Sequence, residues 1–280
     1  MPAFDTPEPI TLTFDMGVGD VRITAEDRTD TVVEIGPTDE KDSSDVKAAE
    51  RTTVEFSGGV LSIRTPKAKP MDFSRKSRSV DVSVALPAGS HVRGEVQVAD
   101  LRCAGRIGEC TFKAATGNIE VDHSGPVHLR MSAGHVTVRR VDGDADVSTS
   151  TGRIRIGDVD GAVETRNLNG STDIGAVLGD VRVRASNGDV AIGRALGDRT
   201  DVEISNGGIR VGEVARGSVA LKTASGDVEV GIGAGLSARL DLSTGFGRVT
   251  NMLEEAAEPS EKAVDVRAKT SFGDITVRRS

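Results

Sequence analysis

We predict an all-β fold from this sequence: a β-solenoid of the single-stranded, right-handed parallel β-helix type, with coils of about 18–19 residues. From residue 111 to residue 277 a short phrase recurs, as in Thr151-Gly152-Arg153-Ile154-Arg155-Ile156: a small residue and glycine, then two branched aliphatic residues two apart. Its nine glycines stand 17, 18, 18, 18, 19, 19, 21 and 26 residues apart. A second set of glycines follows the first by about nine residues. One repeat therefore predicts one coil, with two turns and two short strands.

Alternation within each repeat predicts which side chains fill the core. Ile154 and Ile156 should point inward and Arg155 outward, because successive strand residues face opposite sides of a sheet. Aligning the repeats predicts two aliphatic ladders. The first comprises Ile119, Val136, Ile154, Val190, Ile209, Val228, Val249 and Ile275, and the second comprises Val121, Val138, Ile156, Ile174, Ile192, Val211, Val230 and Val277. An antiparallel meander of hairpins is the alternative, since Asn-Gly and Asp-Gly steps also favour hairpin turns.

Glycine and aspartate predict tight turns between the strands. A coil that reverses within two residues needs a positive φ, which glycine reaches without steric cost. The Gly-Asp steps partly match the calcium-binding β-roll repeat, but Asn118, Arg153 and Arg248 stand at equivalent positions, so we predict ordinary turns. We interpret Asn187 and Asn206 as turn residues, with a stacked side-chain amide ladder as the alternative.

Residues 1–79 are predicted to form an irregular β N-terminal cap with a basic loop, and residues 80–280 a continuous solenoid of repeats. A cap is expected because a solenoid leaves an open sheet edge at each end, and an exposed edge invites aggregation. The polar run 39–45 predicts a surface loop within the cap, and the last repeat, 270–277, is expected to close the chain. Alternating segments predict strands in the cap at 10–14, 21–23, 32–35, 54–56 and 60–63.

The segment 66–79 is the candidate partner-contact site. Basic residues there surround two apolar side chains, a combination that suits an acidic partner or an anionic membrane surface; a solvated loop is the alternative. The candidate contact residues are Lys67, Lys69, Met71, Phe73, Arg75, Lys76 and Arg78. A second excursion, 251–262, is acidic and delays the last repeat.

Composition excludes several classes of ligand. The chain has 280 residues, a formal net charge of −8, no Trp, no Tyr and seven Phe. An acidic balance without aromatic stacking platforms argues against nucleic acid, and the missing Trp and Tyr also argue against carbohydrate. We therefore predict a protein partner and no nucleic-acid partner, and we leave homo-oligomerisation open.

We predict no enzyme activity, no cofactor and no metal site. The four histidines, His91, His123, His128 and His135, lack the cysteine or paired-carboxylate support that a tetrahedral zinc site needs. The sequence contains no P-loop or dinucleotide fingerprint. Outward charges alternate in sign and the turns are short, which is unlike the clefts of β-helical polysaccharide lyases.

The cysteines and the N-terminus predict the compartment. Cys103 and Cys110 are expected to be reduced and partly buried, because two cysteines in a chain of this length do not make a disulfide framework. The first twenty residues have no basic leader and no apolar core, and no stretch approaches the ~20 apolar residues that span a bilayer. We expect a cytoplasmic protein with no integral membrane segment.

A family resemblance rests on residues 80–90, VDVSVALPAGS, which lead directly into the repeats. This arrangement resembles the bacterial β-strand-repeat family of unknown function labelled "putative adhesin", in which a strand ending in Leu-Pro-x-Gly precedes repeated Thr/Ser-x-Gly-x-Ile-x-Val units. The resemblance covers residues 80–280. It implies a surface role, with some members associated with the cell envelope, and it supplies no catalytic residues.

Together these observations predict a non-enzymatic protein-interaction or scaffold module that presents a rigid charged face to a protein partner. Two alternatives remain. One is an adhesin-like cell-envelope protein, which the family label implies. The other is a self-assembling scaffold like the bactofilins, which concentration-dependent filament formation would indicate.

Overall fold

The computed structural model describes residues 2–65, 78–253 and 263–280, and most of these residues lie in β-strands. By its internal contacts the chain divides into two compact units, Met1–Arg140 and Val141–Ser280. In each unit the strands alternate between two sheets, with aliphatic side chains buried between them. The predicted all-β solenoid is confirmed, and the predicted domain boundary at residues 79 and 80 stays a prediction.

The described part of the first unit contains thirteen strands and one helix, α1 (Ser43–Glu50). The strands are β1 (Ala3–Asp5), β2 (Thr11–Val18), β3 (Val21–Glu26), β4 (Asp30–Pro37), β5 (Thr53–Ser57), β6 (Val60–Arg64), β7 (Val80–Pro87), β8 (His91–Val98), β9 (Leu101–Ile107), β10 (Cys110–Thr116), β11 (Ile119–Ser124), β12 (Val127–Ala133) and β13 (Val136–Val141). The last residue of β13 lies just beyond the unit boundary.

The described part of the second unit contains fourteen strands. They are β14 (Ala145–Thr151), β15 (Ile154–Val159), β16 (Val163–Asn169), β17 (Thr172–Val177), β18 (Val181–Asn187), β19 (Val190–Ala195), β20 (Arg199–Asn206), β21 (Ile209–Val214), β22 (Ser218–Ser225), β23 (Val228–Ile232), β24 (Ser237–Phe246), β25 (Val249–Asn251), β26 (Ala263–Phe272) and β27 (Ile275–Arg279).

In the first unit, one sheet has the strand order β1-β4-β7-β3-β9-β11-β13 and the other has the order β12-β10-β8-β2-β6-β5. Neighbours such as β8 and β10 are parallel, whereas β1–β4, β4–β7 and β5–β6 pair antiparallel. β2 and β3 are parallel to strands on both sides and form a coil like the later ones. Between them stands Gly19-Asp20, followed by Val21-x-Ile23, so the repeat phrase already occurs here and the sequence analysis overlooked it.

In the second unit, one sheet has the order β15-β17-β19-β21-β23-β27-β25 and the other has the order β24-β26-β22-β20-β18-β16-β14. All the recorded pairs within these sheets are parallel, and Val163 lies beside Val181, which lies beside Thr200. These registers are 18 and 19 residues apart, as the glycine spacing predicts. The alternative of an antiparallel meander of hairpins is wrong.

The last two coils of the second unit are stacked in the reverse of their sequence order. β26 and β27 pair with β22 and β23 on one side and with β24 and β25 on the other. The expectation that residues 270–277 close the solenoid is therefore wrong, and β24 and β25 are outermost in the described part of this unit. Insertion between two coils covers the apolar side chains of β26 on both sides, so Val264, Val266 and Ala268 are buried.

The two predicted ladders form the core with one exception. Every member of both ladders is buried except Val249, which is 46% exposed because it belongs to the outermost strand β25. The first ladder lacks an aliphatic residue between Ile154 and Val190, and buried Thr172 occupies that place. Its neighbour Asn167 is also buried, and the Asn167 Nδ2 donates to the carbonyl oxygens of Gly152 and Gly170, each at 3.0 Å.

The polar run 39–45 is a surface loop only in part, because α1 begins at Ser43. The Asp42 carboxylate accepts from the Ser44 amide at 2.7 Å and so caps the helix. Asp45 in the first turn is buried and accepts from the Ser79 amide at 2.8 Å. A carboxylate cap followed by a first-turn carboxylate was the signal in the sequence that indicated this helix.

The repeat glycines stack on one another along one turn of the second unit. Gly170, Gly188, Gly207 and Gly226 have φ between +117° and +141°. A β-carbon at any of them would collide with the carbonyl oxygen of the glycine one coil earlier. Glycine is required at this turn for two reasons, the backbone conformation and the close approach of the neighbouring coil.

Candidate functional site

The basic segment predicted as the contact site lies mostly outside the described residues. This applies to Lys67, Lys69, Met71, Phe73, Arg75 and Lys76. Arg78 is described; it is partly exposed, with φ +48°, and immediately precedes Ser79, whose amide is held by Asp45. The partner-contact role of these seven residues stays a prediction.

The best-defined exposed feature is a lattice of charged side chains on the outer face of β16, β18, β20 and β22, which we name the charged face. Its members are Glu164, Arg166, Arg182, Arg184, Asp201, Glu203 and Lys222. Stacking in register arranges them in two rows. Glu164, Arg182 and Asp201 lie side by side in the first row, and Arg166, Arg184, Glu203 and Lys222 lie side by side in the second.

Ion pairs hold the centre of the charged face in place. The two terminal nitrogens of Arg184 donate to the two carboxylate oxygens of Asp201 at 3.1 and 3.0 Å, a bidentate pair. The Arg184 Nε lies 3.6 Å from Glu203, and the Lys222 Nζ donates to Glu203 at 2.7 Å. The hydrogen bonds from Arg184 lower the pKa of Asp201, and the hydrogen bond from Lys222 lowers the pKa of Glu203. The predicted alternation of outward charges is present, and the charges are oriented by one another.

Replacing Asp201 with asparagine is expected to reduce the acid sensitivity of folding. Because the pKa of Asp201 is lower in the folded protein, its ionised form stabilises the fold above the unfolded-chain pKa of about 4. That stabilisation is lost as pH falls through the lowered folded-state pKa. Asp201→Asn should lower the free energy of unfolding near neutral pH by about 1 kcal/mol and flatten its decline below pH ~4.

The measurement is urea denaturation of both proteins across the acid range. The matched control is Asp158→Asn, which removes the same charge from an exposed position on β15. An Asp201→Asn protein whose stability falls with acid as steeply as that of the wild type would contradict this prediction.

The turns carry two hydrogen-bonded ladders. Aspartates after the repeat glycines accept from a backbone amide of a neighbouring coil: Asp189 from Gly208 and Asp227 from Asp274, each at 2.8 Å. This geometry accounts for the Gly-Asp steps as turns. In the residues that the structure describes, no group of three or more His, Cys, Asp or Glu side chains could hold a metal ion.

Three asparagines form the second ladder. The Asn187 amide donates to the Asn169 oxygen at 2.8 Å, and the Asn206 amide donates to the Asn187 oxygen at 3.0 Å. The interpretation of Asn187 and Asn206 as separate turn residues is therefore wrong, and the alternative, an amide ladder, is present. Asn169 stands before Gly170 as the others stand before their glycines, so the sequence contained this signal.

Two open concavities lie on the outer surface of the second unit. One, of about 340 Å³, adjoins the charged face and is lined by residues that include Arg184, Glu203, Lys222 and Lys269. The other, of about 830 Å³, lies along the opposite sheet between outward side chains of β15, β17, β19 and β21. Charged and small side chains line both, which suits contact with another macromolecule better than enclosure of an apolar small molecule.

The two cysteines are not a reactive site. Cys103 and Cys110 are buried, more completely than the sequence analysis expected. Burial raises the pKa of Cys110 to about 12 and raises that of Cys103 further above its usual range. Neither thiol is expected to react with a disulfide reagent at pH ~8 in the folded protein, and both should react after unfolding in urea, because only the exposed thiolate attacks. Rapid labelling of the folded protein at wild-type stability would contradict the burial of these thiols.

A solenoid built from stacked 18–19-residue coils, with paired charges outside and hydrogen-bonded ladders at its turns, defines the class of protein. The chain belongs to the Toastrack DUF4097 family, whose model matches residues 10–278. The family resemblance inferred from the sequence is confirmed. The match also includes the N-terminal coil of β2 and β3, which the sequence analysis left outside the repeats.

Several solved structures resemble the chain distantly. A protein from Parabacteroides merdae, named a putative adhesin, is 11% identical, with a TM-score of 0.41, 100% of this chain covered and 95% of that one. A putative adhesin from Parabacteroides distasonis is 14% identical, with a TM-score of 0.36 and coverage of 98% and 95%. A putative cell adhesion protein from Clostridium sporogenes is 12% identical, with a TM-score of 0.24 and coverage of 100% and 98%. Likeness at this level carries no functional argument.

No curated protein matches the chain. Across residues 2–65, 78–253 and 263–280, α1 and any other helical segment fall short of the length and apolar character that a membrane crossing requires.

Proposed function

We propose that this protein is a non-enzymatic interaction module that binds a protein partner through the charged face of the second unit. The observation that carries the proposal is the lattice of oriented charges held by Arg184, Asp201 and Glu203 on a face of parallel strands. A partner of complementary charge pattern could bind such a face without first having to order it. The open shape of the adjoining concavity supports a macromolecular partner.

The charge arrangement also supports a partner with both signs of charge on its binding surface. Basic and acidic members of the charged face alternate along each row, so a uniformly acidic or uniformly basic molecule would meet repulsion at every other position. This pattern favours a folded protein over a polyanion such as nucleic acid, as the composition predicts. We propose the cytoplasm as the compartment, from the character of the N-terminal residues.

The test is affinity purification of the tagged protein from its native host at low salt, with soluble and membrane fractions kept separate. Arg182→Glu combined with Lys222→Glu reverses two exposed charges on the charged face. The matched control, Arg155→Glu combined with Arg194→Glu, makes the same total charge change on the opposite sheet. Circular dichroism establishes that all three proteins are folded.

A stoichiometric soluble partner that the wild type and the control retain, and the charged-face variant loses, is the expected result. A partner that all three proteins retain, or no stoichiometric partner for the wild type, would overturn the proposal. Recovery of the wild type in the membrane fraction or outside the cell would reject the cytoplasmic module and favour an adhesin-like envelope protein.

A further inference from the structure

The outermost strand of the second unit has an unpaired edge among the described residues. β24 is ten residues long, pairs on one side with β26, and ends its sheet in residues 2–65, 78–253 and 263–280. Its inward residues Leu240 and Leu242 are partly exposed, whereas Val266 and Ala268 beside them on β26 are buried. A long edge strand with accessible apolar side chains is a template for pairing with another strand.

The outward residues of this edge form a checkerboard with those of β26. Arg239 lies beside Asp265, and its Nη1 donates to the carboxylate at 3.0 Å. Asp241 lies beside Arg267, whose Nε donates to it at 3.1 Å. Each charge on β24 therefore has an opposite charge on the β26 side. Side chains of Arg239 and Asp241 are 80% and 71% exposed, so their other sides remain accessible to a further strand.

We propose that the chain forms a homodimer in which β24 pairs antiparallel with β24 of a second copy about a two-fold axis at Leu240. Placing Leu240 opposite its own copy sets Arg239 opposite Asp241 of the partner, and Asp241 opposite Arg239. The same register sets Ala238 opposite Leu242 on the inner face. The checkerboard of β26 and β24 continues across the interface, and each edge charge gains a second partner of opposite sign.

Charge selects this arrangement over the other simple pairing of the same edge. A parallel, in-register copy would place Arg239 opposite Arg239 and Asp241 opposite Asp241, which is repulsive at both positions. Antiparallel pairing about a two-fold axis is also the closed, isologous arrangement, so it uses one edge on each copy and stops at two. The edge backbone groups gain hydrogen bonds, and the partly exposed leucines are covered.

This pairing goes beyond the proposed function, because it involves neither the charged face nor a different protein. Failure of one would leave the other standing. The dimer test measures the mass of the pure protein, whereas the partner test measures capture through Arg182 and Lys222.

The experiment is sedimentation equilibrium of the full chain over a wide concentration range, with two single variants. Asp241→Lys places two basic residues opposite each other at the interface, and Arg239→Glu places two acidic residues opposite each other. Each variant alone should raise the dimer dissociation constant by at least about tenfold. An equimolar mixture should restore dimerisation, because Arg239 of one chain then faces Asp241 of the other, and the introduced Lys and Glu also face each other.

The control is Asp158→Lys, which makes the same charge change on β15, away from the edge, and is expected to dimerise as the wild type does. Circular dichroism establishes that the variants are folded. A wild type with the mass of one chain at every concentration would overturn the proposal. A wild-type dimer that both edge variants leave intact, or folded edge variants that stay monomeric when mixed, would also overturn it.

Discussion

Replacing Gly207 with alanine is expected to lower the free energy of unfolding by about 2–4 kcal/mol. Gly207 has φ +141°, a conformation open essentially only to glycine, and a β-carbon there would collide with the carbonyl oxygen of Gly188. Neither coil can withdraw freely, because the strands on both sides of the turn are paired in register with the coils above and below. Chemical denaturation followed by circular dichroism measures the loss.

Two further glycines separate the causes of this loss. Gly235 has φ +73° but open space around it, so Gly235→Ala should cost only the backbone strain, about 1 kcal/mol. Gly36 has open space and no positive φ, so Gly36→Ala should leave stability within about 1 kcal/mol of the wild type. If Gly207→Ala were no more destabilising than Gly235→Ala, the close stacking of the glycine ladder would be contradicted.

Replacing Phe112 with alanine is expected to lower the free energy of unfolding by about 3–5 kcal/mol. Phe112 on β10 is fully buried, and its ring centroid lies 5.7 Å from that of Phe14 on β2. Between the two strands lies β8, where Gly94 is beside both phenylalanines and has no side chain. The two rings fill the space above Gly94, so truncating one opens a cavity that the other cannot fill alone.

A double-mutant cycle with Gly94 tests this packing directly. A β-carbon at Gly94 would collide with the ring of Phe14 and crowd that of Phe112, so Gly94→Ala should destabilise the wild type. It should cost less in the Phe112→Ala background, because the space left by Phe112 lets the ring of Phe14 withdraw. The control Val98→Ala, at a position on β8 that is 45% exposed, should cost less than about 1 kcal/mol. Additive costs at Gly94 and Phe112 would contradict the shared layer.

Much of the coil structure could be predicted from the sequence because its causes are local. Alternation with period two assigns Ile154 and Ile156 to the inside, and a glycine with positive φ marks each turn whatever lies next to it. The existence of α1 was also accessible, through Asp42 and Asp45, although the polar composition of 39–45 favoured a loop.

The candidate site was predictable only in kind. Alternating outward charges are visible in the sequence, and they indicate a charged surface. Which charges pair depends on the register between coils: Arg184 lies beside Glu203, 19 residues on, yet its bidentate partner is Asp201, in the adjacent row. The basic residues of 66–77 stood out by composition alone, and their role as contacts stays a prediction.

The sequence by itself determined the class of fold, the coil length, the two core ladders and the family. Only the tertiary structure decided which coil stacks on which. The repeat phrase specifies inward and outward residues within a coil but is nearly the same in every coil, so it cannot specify neighbours. Packing decides the order, because β26, which is covered on both faces of its pairing, buries Val264, Val266 and Ala268, whereas β24 and β25 leave Leu240 partly exposed and Val249 largely so. The edge from which we infer dimerisation exists for this reason.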